Sequence, residues 1–532
     1  MRRLNRGPLR FLAGLTALVG VSFLGACQDL DIVNPNQPDR ERAITNPADV
    51  EALVIGSWPL YWGRTMTSSS SYNSMPTIAD VMTATYANNA SLKLSSEPRV
   101  AFQNSQTAEE HGIARYQWYD WYELVSNAND ALIAMDEGLE IIDETTGLNT
   151  TTQTRAMAKL FQGAGLGYIA TLFDQMVVAT EETDIEQADA LALKPYTEGI
   201  EQAVASLEEA AALAGQVGEW YNGGSWATLW EGIPEVTSEM VQRVAYSHAA
   251  RLMILSARGP EESAQLDWTR IRSWIDQGIQ EDWVHGVSQQ GQRARYWYRY
   301  RNSNTTFQGR SDYYFIGQAD VSGNYQAWID TPITERERFL ITTPDRRITG
   351  DTPTSSGTYF EYVEDSRGLR PERGLYHFSY YQADRYPEPN SSYLMGSVPL
   401  YTVDEMNLYR ALAAFRTGDL AGAAEYANLT RVANGGLPPL TASGVPEAAD
   451  CVPQTKEGAC GSLEQAIQYE FLVELQLLNM LYPYLTRRNF GTLTPGTFTQ
   501  LPVPARELET LGLDIYTFGG PNGESSAGPF RW

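Results

Sequence analysis

Stretch after stretch of this chain places apolar residues every three or four positions, and that repeat limits its possible folds more than any other feature. An apolar stripe at a 3.6-residue period marks a helix that must bury one face against a neighbour. Over residues 116–136 the stripe is Trp118, Trp121, Tyr122, Val125, Asn129 and Leu132; over 154–173 it is Met157, Leu160, Phe161, Ala164, Tyr168 and Leu172. Residues 198–214 repeat it with Ala203, Val204, Leu207, Ala210 and Ala214, and 238–257 with Val241, Val244, His248, Leu252 and Leu255. An earlier helix opens at Asn46-Pro47, where Asn can cap, Pro suits the first turn, and Asp49 and Glu51 suit the positive end. These stripes predict a mainly α protein.

A sharper unit lies near residue 400. Thr402-Val403-Asp404-Glu405 reads as a capping box, Gly418 ends the helix that follows, Asp419 caps the next, and Gly435-Gly436 stops it. This Arg-x-Gly-Asp helical hairpin resembles the tetratricopeptide pattern. A last long helix is expected over 463–481, with Ile467, Phe471, Leu475 and Leu478 inward. The stretch of about 284–400 is different, with few helical stripes and many turn residues. Between Tyr296 and Tyr393 stand 20 Phe, Trp or Tyr in 98 residues, about twice the chain's 11%. So aromatic a segment argues against disorder, and long irregular segments in folded proteins are commonly functional.

The N-terminus reads as an address. Arg2, Arg3, Arg6 and Arg10 precede an uncharged apolar run from Phe11 to Leu24, which is shorter than the ~20 residues of a spanning helix. Leu24-Gly25-Ala26-Cys27 resembles a bacterial lipobox, which makes residues 1–26 a signal peptide and Cys27 the lipidated first residue of the mature chain. Gln28 in the next position, where an Asp resembles inner-membrane retention, favours the outer membrane. Residues 27–45, with Asn34-Pro35-Asn36 and Gln37-Pro38, read as an extended tether, and 46–532 as a single domain. Removing the first 26 residues removes four arginines and no acid, so the net charge moves from −26 to −30. That charge excludes a nucleic-acid partner, which needs basic patches. Cys451 and Cys460, nine apart in an exported chain, read as a disulfide; a zinc site is the competing reading, but no histidine is near.

Motifs for chemistry are missing. The sequence has no G-x-S-x-G, H-E-x-x-H, G-x-x-x-x-G-K or C-x-x-C, and His111, His248, His285 and His377 have no ligand spacing. No metal or cofactor is expected. Gly163-Ala164-Gly165-Leu166-Gly167 looks like a dinucleotide loop, but it lies inside a helical stripe, so close helix packing is the better reading. His248 reads as a satisfied core residue and Asn129 as a structural hydrogen-bonder. Glu470 and Glu474 sit one helical turn apart among Phe471, Leu475 and Leu478. A glycosidase needs two carboxylates, but a structural ion-pair network is the favoured reading of these two.

The pieces together resemble the SusD/RagB family of outer-membrane nutrient-binding lipoproteins. The resemblance runs through Cys27-Gln28-Asp29-Leu30-Asp31, Trp121 to Asn129, Arg155-Ala156-Met157-Ala158-Lys159, the Tyr409 to Gly418 hairpin, Ala433-Asn434-Gly435-Gly436-Leu437-Pro438, and Leu501-Pro502-Val503-Pro504-Ala505 with Glu507. It departs in the late helix, where Tyr469-Glu470-Phe471-Leu472-Val473-Glu474-Leu475 keeps the glutamates but lacks the family's intervening arginine and glycine, which marks a divergent branch. The resemblance implies a noncatalytic lipoprotein on the cell's outer membrane, facing outward. Such a protein binds an oligosaccharide or peptide and delivers it to a SusC-like TonB-dependent transporter. An exported glycan hydrolase and a helical-repeat interaction scaffold are the alternatives. The family's placement of its ligand surface points to the loop after the first helix, with Tyr72, Asn73 and Tyr86, and to the aromatic segment, with Tyr296, Trp297, Tyr298 and Trp328. Tyr and Trp offer broad rigid faces with a polar tip; the competing reading is that such aromatics fill a satellite core.

Overall fold

The computed structural model describes residues 44–521 apart from 67–73, 84–89, 185–186, 188–190, 230–234, 288–309, 365–377, 386–395, 477 and 480. The expected signal peptide, Cys27 and almost all of the expected tether lie outside the described residues, as do Tyr72, Asn73, Tyr86, Tyr296, Trp297 and Tyr298. Helices dominate: α1 (Pro47–Met66), α2 (His111–Asp136), α3 (Thr151–Leu172), α4 (Tyr196–Ala214), α5 (Ser238–Ser256), α6 (Trp268–Gln277), α7 (Val403–Arg416), α8 (Leu420–Ala433), α9 (Leu463–Leu475) and α10 (Tyr482–Asn489). Strands are short and pair in twos: β1 (Met82–Thr83) with β5 (Arg310–Ser311), β2 (Gln175–Val177) with β3 (Leu193–Pro195), β4 (Trp283–Val287) with β8 (Gly396–Tyr401), and β6 (Phe360–Tyr362) with β7 (Tyr381–Ala383), all antiparallel.

The glycine run explains how the helices assemble. All three glycines lie in α3, which is buried almost throughout. A methyl group added at Gly163 would stand 2.6 Å from Leu207 Cγ of α4; at Gly165, 2.6 Å from Val125 Cγ2 of α2; at Gly167, 2.2 Å from Leu252 Cδ1 of α5. Each glycine therefore admits a different neighbour, and α3 is the hub. Aromatic contacts lock three of these elements, α2, α3 and α5. Trp121 stacks on Tyr168 with ring centroids 4.4 Å apart, and Tyr168 meets the His248 ring edge-on at 5.7 Å.

The C-terminal end of α3 would expose unsatisfied carbonyls in the core. Two buried arginines cover it. Arg258 donates to the Ala170 and Phe173 carbonyls at 2.7 and 2.8 Å, and Arg488 to that of Thr171 at 2.7 Å. Positive charge at the negative end of a helix is favourable. Burial, and then the neighbouring Arg258, pull the Arg488 guanidinium down to about 9.

The helix signals mostly form as read. Asn46 Oδ1 accepts from Ala48 N at 3.0 Å, Asp419 Oδ1 from Gly422 N at 2.9 Å, and Gly418 turns the chain at φ +86°. Two expectations change. Only half of the capping box at α7 forms: Thr402 accepts from Glu405 N at 3.1 Å, but the Glu405 carboxylate turns inward to Arg251, with 2.7 Å to both Nε and Nη2. A buried guanidinium outcompetes a solvent-side cap. The expected helix over 463–481 is also broken, ending at Leu475, and α10 begins at Tyr482. Pro483 has no N–H to continue a ladder, and Asn479 turns the chain by accepting from Leu481 N at 2.9 Å while donating to Tyr168 Oη at 3.0 Å.

Candidate functional site

The strand pairs gather distant parts of the chain into one frame. Thr83 pairs with Arg310 and Met82 with Ser311, so the loop after the first helix and the aromatic segment are tied where each meets the framework. Asp312 bridges Phe378, and Arg310 Nη1 donates to Gln382 Oε1 of β7 at 2.7 Å. This buried guanidinium–amide contact ties together strands that share no sequence neighbourhood.

On this frame stands a ridge of half-buried groups. Tyr362 on β6 and Tyr380 beside β7 hold their rings 6.0 Å apart at 31°. The Arg338 guanidinium lies 3.7 Å above the Tyr380 ring centroid and donates to the Phe378 and Ser379 carbonyls at 3.1 and 3.2 Å. Tyr380, just before β7, is half-buried, whereas Tyr381 is buried, its hydroxyl donating to Pro353 O at 2.6 Å and accepting from Ile341 N at 3.0 Å. Partial desolvation, then the Glu364 and Tyr380 charges, raise the Tyr362 phenol, so it remains an O–H donor at neutral pH. Two tilted rings and a guanidinium held by backbone carbonyls form an apolar face with donors at its edge. That arrangement suits a sugar ring. Arg338, Tyr362 and Tyr380 were not singled out from sequence. The aromatic enrichment pointed to their segment, but only the packing of the folded chain separates the half-buried Tyr362 and Tyr380 from the buried Tyr381.

Trp328, a candidate for ligand contact, is a core residue. Only 4% of it is exposed. Its ring sits 5.3 Å from Tyr313 and 5.1 Å from Tyr314, and Arg336 covers it at 4.3 Å. The short helix Asn324–Asp330 turns Tyr325, Trp328 and Ile329 inward, so helical spacing decides its fate. The satellite-core reading holds at this position.

Glu470 and Glu474 are bound into an ion-pair network. Arg347 Nη1 meets Glu470 Oε2 at 2.6 Å and Glu474 Oε1 at 2.9 Å, while its Nη2 meets Asp345 Oδ2 at 2.7 Å. Arg385 holds Glu474 at 2.7 Å, Tyr359 donates to Glu474 at 3.0 Å, and Thr430 donates to Glu470 at 3.0 Å. The side chains of Arg347, Asp345, Glu470 and Glu474 are fully inaccessible, so no glycosidic bond can reach these carboxylates. His248 is likewise internal, its Nδ1 against the Tyr401 hydroxyl. Asn129 bridges α2 and α3, donating to Ala179 O at 3.1 Å and accepting from Gln162 at 2.7 Å. Cys451 and Cys460 are joined in a disulfide. Among the described residues no group of three or more His, Cys, Asp or Glu side chains is placed to hold a metal, and no helix is long and apolar enough to cross a membrane.

No family model and no curated protein matches the sequence. Solved structures do match. A SusD superfamily protein from Parabacteroides distasonis aligns over 89% of this chain and 98% of its own, with a TM-score of 0.54 and 10% identity. A SusD superfamily protein from Bacteroides fragilis aligns over 88% and 99%, with a TM-score of 0.52 and 13% identity. The chain has the SusD-like fold. A SusD-like carbohydrate-binding protein from Bacteroides vulgatus shares it at a TM-score of 0.50 and 14% identity, over 86% of this chain and 85% of that one. The SusD-like framework therefore takes in most of the chain. At such identity the helices are kept by patterning and packing, since few side chains are shared.

Proposed function

We propose that this protein is a noncatalytic, lipid-anchored outer-membrane protein that binds a nutrient ligand and hands it to a SusC-like TonB-dependent transporter. An oligosaccharide is the favoured ligand and a peptide the second. The reading is carried by the SusD-like fold along nearly the whole chain, shared with a structure described as a carbohydrate-binding protein. The Tyr362, Tyr380 and Arg338 ridge supports it, because tilted rings with fixed donors suit sugar faces. Tyr72, Asn73, Tyr86, Tyr296, Trp297 and Tyr298 are proposed as further ligand contacts on sequence grounds alone.

The lipobox-like Leu24-Gly25-Ala26-Cys27 supports the anchor. Several acyl chains hold firmly where one holds marginally. A glycan array with a peptide panel, followed by calorimetry on the strongest hit, tests the binding. Saturable binding without product formation is expected, and Tyr380→Ala should weaken it about tenfold with little change in thermal midpoint. Turnover of a bound glycan by the pure protein would overturn the noncatalytic reading. For the anchor, Cys27→Ser should move the protein from membrane to soluble fractions. Continued sedimentation with membranes in high salt would refute lipid attachment.

A further inference from the structure

A second small-ligand site lies away from the aromatic ridge, where the first turn of α5 faces the turn that leads from α6 into β4. A cavity of about 360 Å³ opens there. Its floor is apolar, made by the buried Ile279 and Trp283 with the half-buried Met240. Its lining also holds Glu239, Arg243, Glu281 and Asp282. Arg243 is already engaged: Nε and Nη2 donate to Glu239 Oε1 at 3.0 and 2.7 Å, and Nη1 to the Gly278 carbonyl at 3.0 Å. Glu239 and Arg243 therefore cancel, and the exposed Glu281 and Asp282 set the sign of the site. Neither has an ion-pair partner among the described residues.

We propose that this cavity takes a compact cation, an ammonium or guanidinium carried on a small carbon frame. The positive ends of α5 and of α7, where Val403 N donates to Asp282, argue for an anion. Each amounts to about half a charge, so together they offset about one of the two remaining carboxylates and leave the site negative. The walls are held in place. Ser247 Oγ accepts from Ile279 N at 2.9 Å, and Asp282 Oδ1 accepts from Val403 N, at the start of α7, at 2.8 Å. Such fixed backbone keeps the carboxylates at the mouth without an ordering cost on binding. The volume lies near the small end of ligand pockets, so it admits one ring or one side chain and no extended oligosaccharide. An amino sugar and a basic amino-acid side chain share this chemistry.

Calorimetry on the full chain in detergent separates the outcomes with paired probes: glucosamine against N-acetylglucosamine, and lysine amide against Nε-acetyl-lysine amide. The cationic member of at least one pair should bind at least about tenfold more tightly than its acetylated partner, and more weakly as salt rises. The pair that responds identifies the source of the cation. Glu281→Lys should abolish that binding and Glu281→Gln should weaken it; both sit on an exposed turn and should fold. Equal binding within both pairs, no cation binding up to about 10 mM, or wild-type affinity in Glu281→Lys would each overturn the site. None of these probes is an oligosaccharide, so the result stands or falls separately from the nutrient-binding reading.

Discussion

Replacing Arg347 by Met should destabilise the fold by about 3–5 kcal/mol, and the reason lies in how its three carboxylates are shared. Arg347 serves Asp345, Glu470 and Glu474, all inaccessible to water. Without it, Glu474 keeps Arg385 at 2.7 Å and Glu470 keeps Arg431 at 3.8 Å. Asp345 keeps the Tyr469 hydroxyl at 2.7 Å but no cation. At least one buried carboxylate is thus stranded, which is the costly way to break a buried pair. For a unit of about 490 residues the unfolding entropy is about 1 kcal/mol/K, so the thermal midpoint should fall by about 3–5 °C. Scanning calorimetry on the full chain measures it. Arg347→Lys should fall between Met and wild type, because Lys keeps the charge and loses the planar fork. A midpoint for Arg347→Met within about 1 °C of wild type would refute the network's structural role. The same experiment bears on chemistry. Were Glu470 and Glu474 a hydrolytic pair, Glu474→Gln would abolish turnover and leave the midpoint alone. The network predicts the reverse for this pair, a lowered midpoint and no turnover that depends on Glu474.

Trp328→Ala should cost about 3–5 kcal/mol as a buried aromatic, in contrast to the ridge variant Tyr380→Ala, and an unchanged midpoint would return Trp328 to the surface candidates. Loss of the disulfide in Cys451→Ser/Cys460→Ser should cost at most about 2–3 kcal/mol by loop-closure reasoning; the fold should survive because Gln454 N still bonds Gln318 O at 3.0 Å and Gln326 still reaches Thr455 O at 3.0 Å, and loss of the native circular-dichroism spectrum would show otherwise. Burial, and then the Arg251 charge, hold the His248 imidazole well below its ordinary 6.5, so the fold keeps it neutral while the unfolded chain takes up a proton below that pH. Its contribution is complete above pH 6.5 and is lost as pH falls, by up to about 1.4 kcal/mol per pH unit. Urea midpoints of His248→Gln should therefore change less between pH 6.5 and 5 than wild type, and parallel curves would refute the burial argument.

Much of the helical framework was legible because each stripe has a physical consequence. The α2 to α5 stripes predict buried faces, and Trp121, Tyr168, Leu207 and Leu252 are all inaccessible. The glycines of α3 were readable as packing, because a phosphate loop needs a preceding strand and none was there. The break at Asn479 was not legible, since Leu478 and Leu481 continue the apolar pattern across it and only Pro483 signals a restart. The fate of Glu405 was hidden for a related reason. A capping box is a local pattern, and the buried Arg251 that claims its carboxylate lies 154 residues away. The site was half legible. Aromatic enrichment marks the segment, but choosing Tyr362 and Tyr380 over Trp328 needs the burial of each ring and the turn of a short helix.

These failures share one physical cause. The polar residues that hold this fold together act across long sequence separations: Arg310 to Gln382, Arg347 to Glu470, Arg488 to Leu255. Helical stripes need only the right hydrophobicity at the right spacing, so they tolerate the divergence seen at 10–14% identity. A buried arginine tolerates no such drift alone, because its loss strands every carboxylate or carbonyl it serves. Internal charge is therefore tied to the framework, while the ridge on β6 and β7 and the acid-lined cavity beside β4 stand on short strands and turns. On the two proposals above, a change at Tyr380 or Glu281 would alter what the surface binds without touching the α3 hub. That separation lets one helical frame present different binding surfaces, and it places the search for ligand in the β-paired segments.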